Sequence, residues 1–221
     1  MELGVLKNIV IIGAGGVGRE TSMLIEDINH YKNEWLLLGY VDDNESLQGK
    51  FINGYKVIAN IDWLNSITEE TYAVCTVSDP KLKLSILGRI KNEKIKFANL
   101  IHPTAVVSNH VNMGEGIIIQ AYCIVTTNVA LGNHVQLNPQ CGIGHDCSIG
   151  DYSSLYWNVN ISGNVTIDEG CILGTKSTVL QQKHIGRWSI LGAASTVTKD
   201  IPPYCTALGT PAKPIKFHEE A

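Results

Sequence analysis

Aliphatic residues recur at every sixth position from Ile101 to Val197, seventeen in succession, through Ile119, Leu137, Leu155 and Leu173. If about a third of positions were aliphatic by chance, such a run would be rarer than roughly one in a million. A period of six matches neither a 3.6-residue helix nor one long strand. It matches short strands that turn a corner after each hexad, so the chain is predicted to wind into a coil. Two places before many of these aliphatics stands a small or β-branched residue, such as Cys123, Cys141, Cys147, Ser153, Val165 or Cys171, which gives a second inward position. Gly often follows the aliphatic, as at Gly132, Gly144, Gly150, Gly174, Gly186 and Gly192, and suits tight corners. Five to six coils at the spacing of paired strands make a prism roughly 25 to 28 Å long. No excursion loop interrupts residues 101–197, so any pocket must be completed by another domain or chain.

The first hundred residues follow a different pattern. An apolar run at 8–12 meets Gly13-Ala14-Gly15-Gly16-Val17-Gly18 and then a helix-like stretch to about residue 28, which predicts strand, glycine turn and helix. Such a turn lets a phosphate approach backbone N–H groups at the positive end of a helix. Further strands are predicted at 36–41, 72–77 and 96–101, with a helix from the Asp79-Pro80 cap through about residue 93. The alternation implies a small parallel sheet, one nucleotide-binding half of a doubly wound fold. Without the second half, a nucleotide or nucleotide-linked sugar is favoured over NAD. Asp42 and Asp43, at the end of the second strand, are placed to accept hydrogen bonds from a ribose or base. The alternative is that the glycines serve strand-to-helix packing alone. His102-Pro103 marks the junction. The expected division is a nucleotide-sugar-binding α/β domain at 1–101, a coil domain at 102–202 and an extended tail at 203–221.

Composition narrows the function. The 221 residues carry a formal charge of −4, with basic residues scattered, which gives nucleic acid no basic field. The longest apolar run near the start is too short for a signal core or a membrane helix, so a cytoplasmic protein is expected, with no membrane partner. Of six cysteines, four occupy the small inward position, so packing explains them and free thiols are expected. No metal site is expected, because the chain has neither CxxC nor His-x-x-x-x-His.

His145 and Asp146 occupy the third and fourth places of their hexad, outside both inward positions. A corner histidine beside a carboxylate can keep one ring nitrogen as an acceptor and serve as a general base. It is also one of seven histidines, and spacing alone does not choose among them.

From Gly13 through Gly144-His145-Asp146-Cys147 to Gly209-Thr210-Pro211-Ala212-Lys213, the chain resembles the sialic acid O-acetyltransferase and bacillosamine or perosamine N-acetyltransferase family. The resemblance implies an α/β N-terminal half-Rossmann domain followed by a left-handed parallel β-helix, assembled as a homotrimer with sites between chains. It implies acetyl transfer from acetyl-CoA to a UDP- or GDP-linked amino sugar, for surface polysaccharide or glycan synthesis. By the same comparison His145 is the base, Asp146 raises its basicity and Asn138 lies nearby. Acetyl-CoA contacts fall at Ser154, Thr175 and Ala193, with Gly174, Gly192 and Lys213 close by. Nucleotide-sugar contacts fall at Gly15, Gly16, Val17, Asp42, Asp43 and Ser78. Two positions depart from the family pattern: Val17 stands where many relatives have His, and Ser154 where one relative has a second His. O-acetylation of a sialic acid, and a non-enzymatic scaffold or sugar-nucleotide sensor, are the competing expectations.

Overall fold

The computed structural model describes residues 6–219 and divides the chain into two compact units, with the boundary after Pro103. In the first unit, β1 (Lys7–Ile12), α1 (Gly16–Tyr31), β2 (Trp35–Val41), β3 (Phe51–Ile52), β4 (Tyr55–Ala59), β5 (Thr71–Cys75), α2 (Pro80–Arg89) and β6 (Ile95–Phe97) follow in order. The strands form one sheet, β3-β4-β2-β1-β5-β6, parallel except for the β3–β4 hairpin. Central β1 buries Ile9 to Ile12 completely, as a strand covered on both faces requires. Helix α1 turns Gly18, Thr21, Leu24, Ile25 and Ile28 inward at helical spacing.

Three sequence expectations are corrected here. Helix α2 ends at Arg89 rather than near residue 93. The strand expected at 96–101 is two short strands, Ile95–Phe97 and Leu100–Ile101. The β3–β4 hairpin was not anticipated, although Asn53-Gly54 between two apolar pairs is its signal. Both residues take left-handed φ, 49° and 81°, the twist that a two-residue hairpin loop demands.

In the second unit a two-residue strand recurs every six residues from Val106–Val107 to Thr196–Val197 without interruption. Residues eighteen apart pair in parallel, as Leu137 with Leu155, Leu155 with Leu173 and Leu173 with Leu191, so three hexads make one coil. The first face runs from Ile118–Ile119 to Ile190–Leu191, the second from Val106–Val107 to Thr196–Val197, and the third from Asn112–Met113 to His184–Ile185. Inward aliphatics are fully buried from Ile119 onward, each worth about 1.5 to 3 kcal/mol against exposure. Met113, in the first coil, stays 38% exposed.

The corners are not made by the glycines that follow the aliphatics. Left-handed φ falls three places after the aliphatics from Met113 to Leu191, at Gly116, Tyr122, Asn128, His134, Gln140, Asp146 and onward at the same period to Ala194. The glycines answer to the coil above instead: a Cβ on Gly144 would lie 2.7 Å from the Gly163 nitrogen, and one on Gly174 would lie 2.6 Å from that of Ala193. The small inward residues also have a second duty. Thiols of Cys123, Cys141 and Cys147 donate to the carbonyls of Asn138, Tyr156 and Ser162, fifteen residues on, at 3.2, 3.1 and 3.0 Å. Burial pushes the Cys171 thiol up to about 12, which keeps it a donor, and all six cysteines are free and buried.

Residues beyond 203 are not a plain extended tail. Strand Cys205–Gly209 continues the first face beyond Ile190–Leu191, and Ala212–Phe217 returns antiparallel to it.

Candidate active site

His145 and Asp146 lie on the edge that follows the second face, at the turn between Gly142–Ile143 and Ser148–Ile149. The left-handed φ of 58° at Asp146 swings its carboxylate back, so that His145 Nδ1 and Asp146 Oδ2 stand 2.7 Å apart. Asn128, one coil below, donates from Nδ2 to Asp146 Oδ1 at 3.1 Å. These two hydrogen bonds hold the Asp146 carboxyl below the usual carboxylate range, so it remains an acceptor. An acceptor on Nδ1 selects the tautomer with its proton there and leaves Nε2 basic. The ring is 58% exposed and lies over Gly163, one coil above, where a Cβ would fall 2.5 Å from Nε2. Beside this edge the second face carries a depression of about 340 Å³, lined by Thr126, Gly142, Gly144, Asn160 and Ser162 among others. Gly142 opens it, because the outward column reads Ile124, Gly142, Asn160.

Asn128 and Gly163 were missed by sequence reasoning, yet their signal was present: one is eighteen before Asp146, the other eighteen after His145. Asn138 lies elsewhere. It sits on the edge that precedes the second face, and its Oδ1 accepts from Gln136 Nε2 at 2.7 Å.

The residues expected to meet acetyl-CoA gather on that same preceding edge. Gly174, Thr175, Gly192 and Ala193 stack there over Tyr156 and the exposed Trp157. Ser154, on the adjoining strand, is wholly buried, with its N–H donated to the Cys171 carbonyl at 2.8 Å. Register places Lys213 opposite Leu208, whose side chain covers Gly192, so Lys213 tops the column. The candidate base and the expected cofactor contacts therefore occupy two different edges of one chain, with the second face between them.

In the first unit, Gly15 and Gly16 open α1 with no side-chain cap, and a Cβ on either would meet nothing within 4 Å. Packing does not require these two glycines; it does require Gly18, where a Cβ would strike the Gly13 carbonyl. The turn thus presents uncapped N–H groups to solvent, with Val17 in its first helical turn, as an anion site does. Asp42 stands at the end of β2 as expected, but its oxygens already accept the N–H groups of Ala14 and Asn44, both at 2.8 Å, so it also fixes the turn. Asp43 binds Arg89, whose guanidinium holds its carboxyl low. Ser78 lies half-buried after β5, ahead of the Asp79 cap of α2. A cleft of about 210 Å³ joins Gly13, Asp42 and Asp43 to apolar walls. Among the described residues no group of three or more His, Cys, Asp or Glu side chains is arranged to hold a metal ion, and no helix is long and apolar enough to cross a membrane.

Comparison with known proteins covers both units. Residues 8–90 match the PglD N-terminal domain. GDP-perosamine N-acetyltransferase of Escherichia coli O157:H7 is 29% identical over 213 residues, 93% of this chain and 95% of that one. The acetyltransferase domain of PglB from Neisseria gonorrhoeae FA1090, solved in complex with acetyl coenzyme A, superposes with a TM-score of 0.86 at 28% identity, over 96% of this chain and all of that one. WeeI from Acinetobacter baumannii AYE shares the fold, with a TM-score of 0.85 at 23% identity over 95% of this chain and all of that one. The glycine turn of the first unit, the corner His-Asp pair of the second and matches that span both units converge: residues 8–90 carry a PglD N-terminal domain, and the chain as a whole is similar to PglD-like sugar acetyltransferases built on a left-handed β-helix.

Proposed function

We propose that this protein transfers the acetyl group of acetyl-CoA to the amino group of a nucleotide-linked amino sugar, at sites closed between copies of the chain. The observation that carries the reading is the His145-Asp146-Asn128 relay on an exposed edge, with the imidazole ring more than half exposed. Acetyl-CoA supplies an activated thioester carbonyl. His145 Nε2 accepts the proton that the sugar amine loses as its nitrogen attacks that carbonyl, and returns it to the departing thiolate. Asp146 steadies the imidazolium that exists between those two events. A backbone N–H group at an edge of the coil would stabilise the oxyanion that forms on the thioester carbonyl.

The split of the site over two edges supports assembly. One chain offers the base on the edge after its second face; a neighbour offers Gly174, Thr175, Gly192, Ala193 and Lys213 on the edge before its own. A cyclic trimer brings one of each together three times. The uncapped turn at Gly15 and Gly16 takes the diphosphate of the acceptor. Dependence on acetyl-CoA puts the reaction in the cytoplasm, upstream of polysaccharide or glycan assembly.

Thiol release from acetyl-CoA, followed with a panel of UDP- and GDP-linked 4-amino sugars, tests the proposal. Turnover is expected with at least one acceptor, and His145→Ala should lower kcat by about 10²- to 10⁴-fold at unchanged melting temperature. Full activity in that variant rejects the assignment.

A further inference from the structure

The cleft beside the glycine turn is walled by Ile61, Val77, Leu82 and Ile86, and Asp43 is presented to it. This carboxylate is already engaged. Its Oδ1 accepts the Ile61 backbone N–H at 3.1 Å and Arg89 Nη2–H at 3.3 Å, while its Oδ2 accepts from Arg89 Nη1. Arg89 is anchored from its other side, where Asp62 Oδ1 takes Nε–H at 3.1 Å and stands 2.8 Å from Nη2. Held between two carboxylates, the guanidinium has little freedom to turn away.

A carboxylate has one edge on which two parallel donors span both oxygens, and each oxygen has two lone pairs. Arg89 fills that edge. With the Ile61 N–H, it also fills both lone pairs of Oδ1. What remains is one lone pair on Oδ2 next to the second N–H of Nη1: a single acceptor beside a single donor. Guanine reads a carboxylate through ring N1–H and exocyclic N2–H together, and that pair has nowhere to go. Were guanine to use only O6 and N1–H, its N2–H would face an oxygen with no lone pair left. The 2,4-dione edge of uracil or thymine offers one ring N–H next to one carbonyl, and the remaining pair satisfies both.

We propose that Arg89 selects the base of the acceptor, admitting a pyrimidine-2,4-dione nucleoside diphosphate and disfavouring guanosine. The inference rests on the nucleotide-linked acceptor proposed above. Calorimetric titration of the full chain with UDP, dTDP and GDP tests it. UDP or dTDP should bind about tenfold or more tighter than GDP, and the two pyrimidine arms show whether the 5-methyl or the ribose 2′-hydroxyl matters. Arg89→Gln opens the two-oxygen edge of Asp43 and should bring the ratio near unity. Where that variant folds poorly, Asp62→Asn loosens the outer anchor and should move the ratio in the same direction. GDP binding as tightly as the better pyrimidine in the native protein overturns the inference, as does a ratio that neither folded variant changes. If acetyl-CoA binds and no nucleoside diphosphate does, the nucleotide-linked acceptor itself is rejected, and base selection with it.

Discussion

Two glycines on neighbouring coils illustrate how residue identity divides between fold and chemistry. A Cβ at Gly150 would press into the backbone of Asp168 and Glu169, which cannot yield without spreading the coils. At Gly163 the three nearest atoms all belong to the His145 ring, the end of an exposed side chain. Gly150→Ala should therefore cost about 2 kcal/mol or more of stability. Gly163→Ala should leave the melting temperature nearly unchanged while kcat falls about tenfold or more, because the ring must leave its place. Thermal melts and initial rates on the two variants separate the roles; equal loss of stability in both would contradict this division. Asp146→Asn keeps the shape of the pair but removes the charge that steadies the imidazolium, so kcat should drop about 10- to 100-fold with the KM for acetyl-CoA unchanged.

At the scale of elements, α2 carries an unusual burden. Its inward face includes Lys83, fully buried, whose ammonium is brought down to about 8 by desolvation against the partial compensation of Cys75 and Asp79. The unfolded chain binds more protons than the folded one between that value and the ordinary 10.5, so Lys83 makes stability rise with pH across that window. Lys83→Met should then be more stable than the native protein at pH 7, by at most about 3 kcal/mol, with the gap closing above pH 10.5. Denaturant titrations of both proteins at pH 7, 9 and 10.5 measure it; a gap that does not shrink with pH assigns the effect to packing. Nothing in the sequence marked this lysine as buried, because burial depends on which face of α2 packs inward and one lysine does not reveal that. The hexads were legible because their period is enforced independently at seventeen positions. The hairpin at Asn53-Gly54 was legible in principle and passed over, since its strands are only two and five residues long. Asp42 and Asp43 were found by position, but not the partners that occupy them: Ala14 is twenty-eight residues from Asp42, and Arg89 forty-six from Asp43.

For the whole molecule, the decisive feature is that the second unit keeps its proposed base, His145, on one edge and its expected acetyl-CoA contacts on another. Stacking at eighteen residues repeats an edge along the prism but never carries a residue across a face, so no rearrangement within one coil stack unites them. The second face that separates them exposes Val106 at 64% and Ile124 at 51%, apolar area that a neighbouring copy would cover. Ile124→Glu should disperse the assembly into smaller species in sedimentation velocity and abolish turnover, although neither proposed catalytic contact is altered. A sharper test uses two dead proteins. His145→Ala lacks the base but retains the other edge; Gly192→Asp retains the base but blocks the proposed acetyl-CoA column, where Leu208 already fills the space above Gly192. Each alone should be inactive. Co-expressed in equal amounts, they should form mixed assemblies, and in the proposed trimer a site can then pair an intact base from one chain with an intact column from the next. Random assembly makes such pairings about a quarter of all sites, so about a quarter of native activity should return. A site contained in one chain could never be restored this way, and the mixture would stay as inactive as its parts.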